Sequence, residues 1–190
     1  MLQMARSAGL LLALLPLVHA ASLTISNVFG SHMVLQRGKP IPVWGWTDAG
    51  AAVTASFTGQ ANASATADAQ GFFRVFFPAL PASAEPAAIT VCAGAGAACA
   101  TLEDVLIGDV VLCSGQSNTE FNVASSNNAT AEVAAADLFP LIRVTSGPLQ
   151  GQFDLHTLPI GVESKQLLAV DLPWSPANAS SIGGNGKGWE

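Results

Sequence analysis

The sequence predicts two parts of different class: a small antiparallel β-sandwich over residues 21–103, then an α/β unit over residues 104–190. Three observations carry that reading. Short strand-like runs recur between residues 23 and 103, separated by Gly, Pro and Asp turns. The run Val110-Val111-Leu112-Cys113 is apolar without alternation, which predicts a strand buried on both faces of a parallel sheet. It stops at Ser114-Gly115-Gln116-Ser117-Asn118, a cluster of turn and helix-cap residues. An Ala-rich helical pattern and another strand-like run follow, in β-turn-α-β order.

Residues 1–20 read as a targeting segment. Arg6 supplies a positive start, Gly9 to Val18 a short apolar core, and Val18-His19-Ala20 a small-residue cleavage site. The apolar run is too short to span a bilayer and no other run approaches the required length. The expectation is entry into the secretory route, ending outside the cell or in the lysosome, with no membrane anchor.

The β part then runs in order. Pro42-Val43-Trp44-Gly45-Trp46-Thr47 is a strand ended by the turn Asp48-Ala49-Gly50, and residues 53–57 alternate apolar with small or polar. Residues 62–69 form a polar strand or edge, with Gln70-Gly71 as the next turn. Residues 72–77 are a dense aromatic strand stopped by Pro78 and Pro81. Residues 89–92 and 99–102 form the last hairpin. In the α/β part, a helix is expected over 130–138 and a strand at Pro140-Leu141-Ile142-Arg143-Val144. From Ser146 onward the chain is poorly patterned, and residues 181–188 read as a flexible tail or loop.

Half the residues are hydrophobic and 11% are charged, so a core can form and the composition argues against overall disorder. A net charge of −6 argues against nucleic acid or an anionic membrane surface as a partner. Cys92 and Cys99 flank a small-residue turn between two strand-like runs, which suits a cross-hairpin disulfide. Closing so short a loop stabilises by about 2.5 kcal/mol in the chain-entropy model. Cys113, on the expected buried strand, reads as an inert core thiol. Asn62, Asn128 and Asn178 head glycosylation sequons in stretches that read as exposed. No phosphate loop, metal-ligand spacing or basic-aromatic stripe occurs, so no cofactor or metal is expected. Trp44 and Trp46 project to one side of their strand; core or inter-domain packing suits them better than a sugar platform. His32 reads as a structural residue.

A buried strand, tight turn and helix can lift a nucleophile to the carboxyl edge of an open α/β sheet. The first N–H groups of such a helix have no intrahelical partner and can stabilise an oxyanion. Ser117 is the residue placed for that work. Ser and Asn are also preferred N-caps, so Gly-Gln-Ser-Asn could simply start a helix. The G-x-S-x-G elbow is not matched, because Thr119 stands where the second Gly belongs.

Residues 104–118, Asp-Val-Leu-Ile-Gly-Asp-Val-Val-Leu-Cys-Ser-Gly-Gln-Ser-Asn, resemble the nucleophile block of the sialate O-acetylesterase family. That family belongs to the SGNH/GDSL hydrolases, whose Gly-Asp-Ser-Leu block reads Gly-Gln-Ser-Asn here. Residues 28–46, from Val28-Phe29-Gly30-Ser31-His32 to Trp44-Gly45-Trp46, resemble the opening of the β-domain that precedes the hydrolase domain in these proteins. Pro173-Trp174-Ser175 resembles a Trp-Ser ahead of a later family block. The resemblance implies a three-layer α/β SGNH-type domain, incomplete at its carboxyl end, preceded by the sandwich. It implies removal of O-acetyl groups from sialic acids or other acetylated sugars, with Ser117 as nucleophile and its backbone N–H as part of the oxyanion hole.

In these hydrolases the base is a His in a carboxyl-terminal Asp-x-x-His block, and further oxyanion donors come from Gly and Asn blocks. None is found after Phe121. His156 follows Asp154 by two residues, the wrong spacing. The chain therefore reads as the amino-terminal part of a secreted O-acetylesterase, inactive by itself. The alternative is a non-catalytic secreted module that binds carbohydrate or another protein through the β part.

Overall fold

The computed structural model describes residues 22–95, 98–113, 123–146, 170 and 172–182. The expected leader, Ser117 and its turn, His156 and the Gly-rich terminal stretch lie outside these residues. Ten strands are described: β1 (Leu23–Ile25), β2 (Val34–Gln36), β3 (Ile41–Thr47), β4 (Ala52–Phe57), β5 (Ala63–Thr66), β6 (Phe72–Phe77), β7 (Ser83–Ala93), β8 (Ala98–Gly108), β9 (Arg143–Ser146) and β10 (Leu172–Pro176). Three of them form a sheet in the order β1-β3-β6, and five form a sheet in the order β2-β8-β7-β4-β5. The β2–β8 pairing is parallel and the others are antiparallel, so the larger sheet is mixed.

Period-two alternation sets which side chains face inward. In β3 and β6 the inward set is Ile41, Val43, Phe73, Val75 and Phe77, all but inaccessible to solvent. In β4 and β7 it is Val53, Ala55, Phe57, Ile89 and Val91. These residues join Met33, Val105 and Ile107 in one core cluster drawn from both sheets. Phe57 of β4 and Phe77 of β6 meet edge-to-face at 5.4 Å, which fixes the two sheets against each other. Each fully buried side chain of this size contributes about 1.5–3 kcal/mol.

Two glycines are required by close approach. A Cβ on Gly45 would stand 2.1 Å from the Thr24 carbonyl oxygen, so β1 can pair with β3 only because no side chain is there. Gly71 has φ 80° in the turn before β6, and a Cβ there would stand 2.2 Å from the Thr47 carbonyl oxygen. Asp68 completes that turn by accepting the N–H groups of Gln70 and Phe72.

The β7–β8 hairpin is the longest pairing. Cys92 and Cys99 stand directly opposite each other in it and are joined by a disulfide, with Cα atoms 4.1 Å apart. Farther along, Ala87 pairs with Val105 and Ile89 with Leu102, so two residues of β8 bulge opposite Ala88. The expected boundary at 103–104 falls inside β8, at this bulge.

The expectation of a buried strand at residues 110–113 is corrected. β8 ends at Gly108, and Val110, Val111 and Leu112 are 43%, 78% and 88% exposed. The reason is lack of a partner: β2 stops pairing at Gln36, opposite Gly108, and β7 at Ser83, opposite Ile107. Cys113 is correspondingly a free, exposed thiol rather than a core one.

Beyond the two sheets, helix α1 (Ala129–Ala135) runs into a 3-10 turn over Ala136–Leu138, where a single helix was expected. Pro140 and Leu141 form a turn, so the next strand, β9, starts only at Arg143. It pairs antiparallel with β10, and the short helix α2 (Ala179–Ile182) follows. The hairpin meets the sheets through Trp174, whose indole N–H donates to the Val28 carbonyl at 2.9 Å. The Trp174 ring also packs over Gly30, where a Cβ would meet it at 3.6 Å. Among the described residues no helix is long and apolar enough to cross a membrane.

Candidate functional site

The described residues that lead toward Ser117 leave β8 at Gly108, and three contacts from the β2 end fix their direction. The Arg37 N–H donates to the Gly108 carbonyl at 2.8 Å. The Val110 N–H donates to Gln36 Oε1 at 2.9 Å. The Arg37 guanidinium forks onto the Asp109 carboxylate at 2.8 and 3.1 Å. Gln36 and Arg37 thus pair with backbone groups beyond the point where β8 stops pairing. The hydrogen bond from Arg37 holds the Asp109 carboxyl below its ordinary value, against desolvation, with charge attraction adding to it. Both side chains are exposed, so water and salt screen the pair strongly.

Beside this exit lies an apolar cleft of about 680 Å³. One wall comes from Leu106, Ile107 and Gly108 of β8, the other from Leu141, Ile142 and Trp174 around the β9–β10 hairpin. Asp109 and Arg143 bring charge to its edge. Concave, mostly apolar surfaces with a few converging polar groups are the usual form of small-molecule sites.

Of the residues singled out from the sequence, Ser117 and His156 lie outside the described residues. His32, which reads as a structural residue, meets the Asp104 carboxylate through its Nδ1 at 2.6 Å. Trp44 packs edge-to-face on Phe29 at 4.5 Å, with the Arg74 guanidinium 5.9 Å from the centre of its ring, and Trp46 lies against Phe72 at 6.0 Å. Asn62 and Asn128 are exposed. Asn178 is half-buried, correcting its reading as exposed. Its side chain caps α2, accepting the N–H groups of Ser180 and Ser181 and donating to the Pro176 carbonyl. Among the described residues no group of His, Cys, Asp and Glu could hold a metal ion.

The partnership of His32, Asp104 and Arg143 was not foreseen. They are separated by 72 and 39 positions in sequence, and no periodicity links them. The backbone gives the only trace: His32 and Asp104 have φ of 70° and 53°, a left-handed conformation that costs non-glycine residues roughly 1–2 kcal/mol.

No protein-family model matches the chain. Over 83 residues it is 37% identical to the human sialate O-acetylesterase, covering 43% of this chain and 14% of that protein. The mouse sialate O-acetylesterase is 34% identical over 82 residues, again 43% of this chain and 14% of the relative. A solved carbohydrate acetylesterase from Xanthomonas citri superposes with a TM-score of 0.73 at 30% identity, covering 88% of this chain and 35% of that one. Over part of its length, this chain is similar to the sialate O-acetylesterase family. It spans about one seventh of the length of these curated relatives. The mixed sheet, the few helices and the structural likeness together support a hydrolase-like α/β fold.

Proposed function

We propose that this chain is the sandwich domain and the nucleophile-bearing segment of a secreted serine carbohydrate O-acetylesterase. The observation that carries the reading is the likeness to a carbohydrate acetylesterase along 88% of the chain, joined to sequence identity with sialate O-acetylesterases. In this reading residues 21–103 are the sandwich domain and residues 104–190 belong to a three-layer SGNH-type domain. The single core shared by both sheets supports the first part.

The substrate is an acetylated sugar, with O-acetylated sialic acid as the first to test. The Ser117 hydroxyl oxygen attacks the acetyl carbonyl, and the Ser117 N–H receives the developing oxyanion. The carbonyl re-forms as the bond to the sugar oxygen breaks, and the sugar leaves with a proton. Water then attacks the acetyl-serine and releases acetate. Both halves need a base touching Ser117 and a carboxylate orienting that base. After removal of the leader, His32 and His156 are the histidines this chain offers. His32 is already committed to Asp104.

Acetate release from an O-acetylated sialoside, by the protein isolated from its natural source and by its Ser117→Ala variant, tests the reading; loss of release only in the variant supports it. Secretion is tested separately. Amino-terminal sequencing of material from the medium should begin at Ala21 or Ser22, and a retained Met1 would contradict it. Glycosidase treatment should lower the apparent mass through Asn62 and Asn128, the exposed acceptors.

A further inference from the structure

His32 and Asp104 are both left-handed non-glycine residues, and they touch each other. Strain of this kind persists only where the surroundings over-determine it, and here they do. The His32 N–H donates to the Glu103 carbonyl at 2.8 Å, and the Glu103 N–H donates to Ser31 Oγ at 2.9 Å. Glu103 and Asp104 are the two residues that bulge opposite Ala88. A bulge bends its strand and re-aims a side chain. The Asp104 carboxylate comes to lie between His32 and Arg143, taking Nδ1 of His32 at 2.6 Å and the Arg143 fork at 3.0 and 3.2 Å.

Arg143 is the first residue of β9, and its side chain is only 7% exposed. Asp104 therefore joins two bodies: the pair of sheets, through β8, and the β9–β10 hairpin, through Arg143. The same two bodies supply the two walls of the cleft beside Gly108. We propose that Asp104 is a latch that fixes the hairpin on the sheets and so sets the width of that cleft. This rests on the described geometry and not on the esterase reading. A bidentate pair to a nearly buried guanidinium is well suited to the task, because losing the carboxylate leaves that cation uncompensated. His32 steadies the carboxylate from the half-exposed side.

Hydrogen exchange of the purified protein, read by mass spectrometry, tests the latch. Asp104→Asn keeps a residue that tolerates the left-handed backbone but removes the charge. Asp104→Gly relieves the backbone entirely and deletes the side chain. Both variants should speed exchange at residues 143–146 and 172–176 by about tenfold or more, leaving β3, β4 and β6 unchanged. Arg143→Lys, which keeps the charge and loses the fork, should give an intermediate effect. Unchanged exchange in the hairpin in either Asp104 variant would overturn the proposal. So would equal acceleration in the sheets, since Asp104 would then be holding the bulge and not the hairpin.

Discussion

Cys113 and Asp109 show how far a single residue's surroundings decide its chemistry. Cys113 ends an apolar run and was expected to be shielded; its thiol is exposed because the run has no strand to pair with. Alkylation without reduction should therefore label Cys113 in the native protein, with Cys92 and Cys99 unlabelled in their disulfide. Labelling only after denaturation would return Cys113 to the core. Asp109 belongs to the same exit from β8. Its carboxyl is held low by Arg37, so the fold binds its proton less readily than the unfolded chain does. The pair's contribution is present above the ordinary carboxyl range, near pH 4, and is lost as pH falls through the lower folded value. An NMR titration should find Asp109 below the usual Asp range, returning toward it in Arg37→Met. A titration identical in both proteins would contradict the pairing.

At the scale of elements, the strands of the two sheets were legible because their alternation has period two and their turns carry Gly, Pro and Asp. β3, β4 and β6 were read to within a residue at nearly every end. The hairpin of Cys92 and Cys99 was legible from its small-residue turn. The run at 110–113 misled because apolar content signals burial without saying which partner would provide it. Pairing is a property of the neighbours, and both neighbours of β8 end at its last residues. The Asp104 bulge was illegible for a similar reason, since its partners come from distant parts of the chain. Gly45 gives an element-scale test of the β1–β3 pairing. Gly45→Ala forces a methyl against the Thr24 carbonyl and should destabilise by about 1–3 kcal/mol in chemical denaturation. A variant as stable as wild type would mean that β1 does not lie there in solution.

At the scale of the molecule, the described strands of the two sheets share one core, and the β9–β10 hairpin and the short helices pack on one another beside the cleft. Leu141 and Ile142 line the cleft, and with Leu138 and Phe139 they are exposed. Resemblance in sequence named the acetylesterase family from two blocks of residues, and the structural likeness extends along most of the chain. The catalytic base was not legible, since no histidine here has the spacing the chemistry of this family uses. A Ser hydroxyl without a base loses help worth roughly 10²–10⁴-fold, and each missing oxyanion donor costs about 10²–10³ more. Such groups act as a unit, so the losses need not multiply. The most direct measurement is acetate release from an O-acetylated sialoside, comparing this 190-residue chain with the protein isolated from its natural source. The expected result is no release above background from the chain, and release by the natural protein that Ser117→Ala abolishes while its fold survives. Turnover by the 190-residue chain alone, or full activity in the Ser117→Ala natural protein, would contradict it.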